Sequence, residues 1–275
     1  MYLPPIQETQ VMAKSTSEYR AIADYYDAEY AHLDYLYRDV PFYMDHLPRR
    51  RQRILELAVG TARASIPLAQ AGHRLTGVDY ATDMLRLATH KRDGVGLTNR
   101  ELRLVRGDLL RLNLRETFDH ACIFFNSFLS FTTIAQQDRV LQNVARHLKP
   151  SGTFWLDIFN PDLTLLATPH ATDLDPISFF VPSLGRTVFR TTDVSRDEQI
   201  QTQRITFHYQ WFDDEGTEHR EMNSFLLTHI FPRELRLLIE RNGFELRALY
   251  GDYDGSDLTD GSPRMIAMCR KRRGA

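Results

Sequence analysis

The chain has little cysteine, little lysine, no surplus of charge and no long apolar run. Cys122 and Cys269 are the only cysteines in 275 residues, and their separation matches no metal or redox spacing, which excludes a disulfide scaffold. Lysine stands only at 14, 91, 149 and 271, so arginine supplies nearly all the positive charge. Lys and Arg total 34 against 36 Asp and Glu, for a net charge of −2. That balance argues against nucleic-acid binding by phosphate neutralisation. The basic stretches RRRQR (49–53) and RKRR near the C-terminus are too short to change that reading. No apolar run approaches the roughly 18 residues that span a bilayer. The opening MYLPPIQETQ lacks the basic-then-apolar order of a signal peptide. A soluble, cytoplasmic chain without a membrane segment is therefore expected. Repeats and low-complexity segments are also missing.

The 43% hydrophobic content suits a packed core of one large domain or two small ones. From 54 to 160 a short apolar strand, a turn and an amphipathic helix recur. Strands are expected at ILELAV (54–59), RLTGVD (74–79), LRLVRGD (102–108), FDHACIFF (118–125) and TFWLDIF (153–159). Helices are expected at 62–71, after Thr82 as N-cap, and through Leu141, Val144 and Leu148, the last ending at a Lys149-Pro150-Ser151-Gly152 turn. This alternation predicts a parallel sheet with helices on both faces and ligands beyond the carboxyl ends of its strands. After Asn160-Pro161 the rhythm changes. Residues 162–184 read as irregular, and period-2 strands follow at 187–194, 199–212 and 220–231, an antiparallel insertion. A helix from Pro232 to Gly243 and two strands close the chain.

Three strand ends carry chemistry. The turn Glu56-Leu57-Ala58-Val59-Gly60-Thr61-Ala62 stands where a glycine-rich loop lets backbone approach a ligand closely, though only Gly60 is glycine. Asp79 ends the second strand, where a carboxylate accepts from both ribose hydroxyls or simply caps a helix. Asp108 ends the third, where a carboxylate accepts from an adenine amine or serves a turn. Each feature alone is equivocal; their order and spacing together are specific. By contrast GDYDGSDLTDGS (251–262) fails as a calcium loop, because Asp257 holds the place of the required glycine. His208, His219 and His229 are too scattered to suggest a metal site, and none is expected.

ILELAVGTARASIPLAQAGHRLTGVDYATDMLRLA, RLVRGDLLRL, FDHACIFFNSF and LKPSGTFWLDIFNP together make the sequence resemble class I S-adenosylmethionine-dependent methyltransferases. Within them it is most similar to small-molecule N-methyltransferases of the glycine/sarcosine and amino-sugar types. The resemblance implies an α/β fold, a Rossmann-like, mostly parallel seven-stranded sheet with an inserted antiparallel β cap. It implies an N-terminal helical lid over 1–48, a core of 49–161 and 231–275, and a substrate cap over 162–230. It further implies that Glu56, Ala58, Gly60, Asp79, Tyr80, Met84, Asp108, Leu109 and Phe125 meet the cofactor. Arg63 would pair the methionine carboxylate or face solvent. Tyr19 and Tyr26, on a tyrosine-rich helix, would line the sulfonium and methyl as the catalytic aromatics. Ala62, where relatives carry glycine, would tighten the loop.

The expected reaction is in-line methyl transfer from S-adenosyl-L-methionine to a small molecule, releasing S-adenosyl-L-homocysteine. An unprotonated amine needs no strong base, whereas a hydroxyl does. No residue stands out as that base, which favours a nitrogen acceptor over oxygen. Asn126, Asp157 and Phe159, at strand ends, are expected to touch the substrate. A nicotinamide oxidoreductase would want a fuller G-x-G-x-x-G, and a silent cofactor-binding module remains the other rival. The sequence leaves the oligomeric state open.

Overall fold

The computed structural model describes residues 20–31 and 36–272. Ahead of the sheet lie α1 (Arg20–Tyr30) and α2 (Leu36–His46). The recurring rhythm then lays down β1 (Arg53–Leu57), α3 (Ser65–Gln70), β2 (Arg74–Asp79), α4 (Thr82–Gly94), β3 (Leu102–Arg106) and β4 (Phe118–Ile123). It ends with α5 (Ile134–His147) and β5 (Leu148–Phe159). After the insertion come α7 (Pro232–Arg241), β10 (Phe244–Tyr250) and β11 (Arg264–Lys271). The strand order is β3-β2-β1-β4-β5-β11-β10, and β11 alone runs against the direction of the other six. From β1 the chain moves outward to β3, then returns beside β1 as β4. The order therefore reverses between β1 and β4, opening a crevice at their carboxyl ends.

Alternation along the strands sends side chains into two cores. On one face Leu55, Leu57, Ile123, Leu156 and Ile158 pack under Val140 and Val144 of α5 and Leu235 and Ile239 of α7. On the other, Ile54, Cys122, Trp155 and Ile266 pack under Phe42 and Tyr43 of α2 and Ile66 and Leu68 of α3. Burying each such large side chain stabilises the fold by about 1.5–3 kcal/mol. The two-sided burial explains the continuous apolar runs of β1 and β4. Among the described residues no helix is long and apolar enough to cross a membrane.

The insertion begins with α6 (Leu163–Leu166) and forms a second, antiparallel sheet in the order β6 (His170–Val181), β7 (Arg186–Asp197), β8 (Thr202–Phe212) and β9 (Glu218–Thr228). Phe179, Val181, Val188 and Tyr209 on its inner face share one cluster with Ala23 and Tyr25 of α1, Ala81 just ahead of α4 and Met84 within it.

Four local expectations are corrected. Residues 170–181, expected to be irregular, form β6. Its Pro176 is tolerated because β6 is an edge strand and pairing skips between Leu174 and Ile177. The Lys149–Gly152 turn belongs to β5, where a pairing shift absorbs it and Ser151 turns to a φ of 63°. Ala81, not Thr82, is the N-cap of α4, because Asp79 accepts the Ala81 N–H (2.9 Å) and stands in for the missing cap. The first helix starts three residues late, since Ala62 adopts a left-handed turn.

Candidate active site

The loop leaving β1 has a specific backbone. Ala58, Gly60 and Ala62 have φ of 57°, 54° and 62°. Glycine adopts this conformation freely, whereas alanine is strained there by about 1–2 kcal/mol. The two alanines thus hold a glycine-type geometry under strain. A Cβ added at Gly60 would meet nothing within 4 Å, so open space lies over the middle of the loop. Gly77 of β2, which the motif reading overlooked, permits the loop's close approach: a Cβ there would fall 2.7 Å from Val59.

Asp79 fastens this loop. One carboxylate oxygen accepts the Gly60 N–H (2.8 Å) and the other the Ala81 N–H. Each oxygen has capacity for a further hydrogen bond, as two ribose hydroxyls would require. At the next strand end Asp108 is bonded by the Leu110 N–H (2.9 Å), with its side chain 40% exposed. Tyr80 is also exposed, near the Arg106 guanidinium. Open space, outward carboxylates and an exposed aromatic fit a nucleoside. Leu109 and Met84, expected beside adenine, are both buried, Leu109 in the core under α5 and α7 and Met84 in the cluster shared by α1, α4 and the second sheet.

Glu56 is buried at the end of β1 and accepts the Ser65 hydroxyl. Burial raises its pKa to about 7, against the opposing pull of Ser65 and Arg63. Arg63 does not simply face solvent. Its guanidinium grips Asp39 of α2 through two bonds (2.9 and 2.5 Å), and Asp39 is wholly buried. The burial of Asp39 calls for exactly such a partner, and the local motif could not reveal it.

Beyond β4, Phe125 and Asn126 are consecutive left-handed residues, with φ of 51° and 64°. Asp157 of β5 holds this turn: its carboxylate accepts the Phe125 N–H (3.3 Å) and its carbonyl the Asn126 N–H (3.0 Å). The same carboxylate accepts from Arg264 of β11 (2.7 Å) and the Tyr253 hydroxyl (2.6 Å). Asn126 accepts the Phe159 N–H (2.7 Å) through its side-chain oxygen. Asp157 and Asn126, expected to touch substrate, are thus buried and occupied from within; they shape the turn. Phe159 is 42% exposed, with the Arg264 guanidinium 4.9 Å from its ring centroid. Arg264 and Tyr253 escaped the sequence reading because they lie more than a hundred and nearly a hundred residues from Asp157.

α1 crosses this crevice. Asp27 accepts from Thr61 of the loop (2.7 Å) and from Lys91 (2.9 Å). Tyr26 packs on Tyr30 (centroids 4.5 Å), and Tyr30 meets the Phe125 ring edge-on (5.3 Å). Tyr30, which meets Phe125, lies one helical turn beyond Tyr26 on the same face, a spacing the sequence did contain. Tyr19 lies outside the described residues. Glu29, also buried, pairs with Arg190 of β7 and accepts the Tyr209 hydroxyl (2.9 Å). Burial pushes its pKa up while Arg190 pulls it back. His208 and His219 are paired with Asp193 (2.8 Å) and Asp213 (2.7 Å).

A methyltransferase-domain profile matches residues 54–152. The cypemycin N-terminal methyltransferase of a Streptomyces species is 28% identical over 85% of this chain and 89% of its own. A demethylmenaquinone methyltransferase of Streptomyces avermitilis is 35% identical over 38% of this chain and 41% of its own. The CcbJ methyltransferase of Streptomyces caelestis superposes with a TM-score of 0.76, at 23% identity, over 91% of this chain and 96% of that one. The amino pentose methyltransferase of Micromonospora echinaspora, solved with S-adenosylmethionine bound, gives 0.67 at 21% identity over 90% and 96%. Residues 54–152 are thus a methyltransferase domain, and the findings together mark the chain as an S-adenosylmethionine-dependent methyltransferase.

Proposed function

We propose that the chain methylates an amine nitrogen of a small molecule held between α1 and the second sheet. The observation that carries this reading is the state of two buried carboxylates, Asp157, which holds the Phe125 turn, and Glu29, next to Tyr30 that meets it. Asp157 is committed to Arg264 and Glu29 to Arg190, so neither offers the free base that a hydroxyl acceptor needs. An amine supplies its own lone pair once unprotonated.

S-adenosylmethionine, when bound, supplies an electrophilic methyl on a sulfonium. The role of the chain is alignment and exclusion of water. Asp79 would receive the ribose hydroxyls, Asp108 and Tyr80 the adenine edge, and the Ala58–Ala62 loop the methionine side. Tyr26, Tyr30 and Phe125 would wall the reacting centre with aromatic faces that favour a cation. In this reading residues 1–48 act as a lid, 49–161 with 231–275 as the core, and 162–230 as a cap. Dependence on a soluble metabolic cofactor supports a cytoplasmic setting, and the net charge of −2 favours a small-molecule or peptide partner over nucleic acid. The cypemycin relative's name, with its N-terminal amine, and the amino pentose enzyme point the same way.

The test compares matched amine and alcohol acceptors for release of S-adenosylhomocysteine. Transfer to amines, rising with pH as the acceptor loses its proton, supports the reading. Transfer to alcohols alone refutes it.

A further inference from the structure

Asp39 of α2 is a wholly buried carboxylate. Taking a carboxylate out of water is expensive, and a buried ion pair often stabilises a fold no better than apolar packing would, so stability alone does not account for it. Its two oxygens meet the two terminal nitrogens of Arg63 (2.9 and 2.5 Å). Such a two-pronged hold fixes the plane of a guanidinium as well as its place. The Val40 N–H donates to the same carboxylate (2.6 Å) and steadies Asp39 in turn. One helical turn along the same face, Tyr43 is buried and stacks on Phe124 (4.1 Å), the residue before the Phe125 turn. α2 therefore holds the exit of the first loop and the root of the second turn together.

Arg63 itself is not sealed. Its side chain keeps 28% exposure against none for Asp39, so the guanidinium is gripped from the protein side and reachable from solvent. It directly follows Ala62, the last left-handed residue of the loop whose middle, at Gly60, faces open space. Its central carbon lies 5.9 Å from the Phe125 ring centroid, and Glu56 and Tyr26 are within its electrostatic reach. The first loop, the Phe125 turn and α1 thus converge on Arg63, on the side of the crevice given above to the methionine portion of the cofactor.

We propose that Asp39 is a positioning residue for the cofactor: it holds the Arg63 guanidinium where the amino-acid carboxylate of S-adenosylmethionine is received, which makes α2 part of the cofactor site. The proposal rests on the reading that puts the methionine side at the Ala58–Ala62 loop, and it is independent of the acceptor. Charge supports it. Asp39 and Arg63 together are neutral, which suits a zwitterion: its carboxylate meets the guanidinium while its ammonium meets no surplus of positive charge. An arginine without that partner would favour any anion. Geometry supports it too, because an arginine side chain that nothing grips samples many rotamers, and a fixed one loses less on binding.

The test is calorimetry on the full chain with S-adenosylhomocysteine and methylthioadenosine, which share nucleoside and thioether and differ in the amino-acid end. The wild type is expected to bind S-adenosylhomocysteine the more tightly. Asp39→Asn should reduce that preference by about tenfold or more, with methylthioadenosine affinity held within about twofold. Arg63→Lys keeps a cation beside Asp39 but cannot grip both oxygens, so it should lose the preference similarly and decides the matter if Asp39→Asn does not fold. A purely structural Asp39 would weaken both ligands together, and a purely neutralising one would, on removal, tighten S-adenosylhomocysteine. Either result, or an unchanged preference in Arg63→Lys, overturns the proposal and leaves the placement of the methionine side standing. Equal binding of the two ligands by the wild type overturns both. Failure of folded protein to bind S-adenosylhomocysteine refutes the cofactor site itself.

Discussion

Ala58 shows how one residue trades stability for geometry. Its φ of 57° costs alanine about 1–2 kcal/mol, while glycine would add about 0.5–1 kcal/mol of unfolded-state entropy. Ala58→Gly should therefore gain up to about 1 kcal/mol and raise Tm by roughly 2–4 °C, measured by thermal unfolding. A lower Tm would mean that the methyl contributes packing that outweighs the strain. Glu56 makes a pH prediction with a definite sign. Burial raises its folded pKa from 4.5 to about 7, so the folded protein keeps a proton that the unfolded chain releases. The stability tied to that proton is complete below about pH 4.5 and is lost as pH rises through 7. Glu56→Gln, which cannot ionise, should gain on the wild type between pH 5 and pH 8. A constant Tm difference across that range would show that Glu56 stays ionised in the fold. The Ala-x-Gly-x-Ala pattern was legible in the sequence, but its strain was not, because φ is set by where the loop must go.

At the scale of elements, the turn after β4 depends on a strand from the far end of the chain. Arg264 of β11 holds Asp157 of β5, which holds Phe125 and Asn126 in a conformation neither prefers alone. Removing one partner of a buried ion pair typically costs 3–5 kcal/mol. Asp157→Asn should therefore lower denaturant stability by about that amount. It should also depress kcat more than cofactor affinity, because Asp79 and the first loop are untouched. A variant with normal stability would place the pair outside the energetics of the fold. Asp157 was picked out in the sequence as a residue that touches substrate. Its role was not legible, because its partners Arg264 and Tyr253 become neighbours only once β11 inserts beside β5.

Across the whole molecule, α1 is pinned at two places: to the core through Asp27 with Thr61 and Lys91, and to the second sheet through Glu29 with Arg190 and Tyr209. The position of the helix is thereby coupled to the insertion. A double-mutant cycle of Glu29→Gln and Tyr209→Phe should show a coupling on the order of 1 kcal/mol, and amide exchange in α1 should quicken in Glu29→Gln. Strict additivity with unchanged exchange would uncouple the two elements. The sequence by itself determined the parallel core, because period, apolar runs and strand-end acids are local signals spaced along one stretch of chain. It also determined the cofactor class, since the loop, Asp79 and Asp108 are read in order along that stretch. Tertiary structure alone decided that Tyr30 meets Phe125, which acids are consumed by arginines, and which face of the insertion looks inward. Those outcomes depend on pairings between residues as far apart as Glu29 and Arg190, and burial makes such pairings obligatory without leaving a local trace.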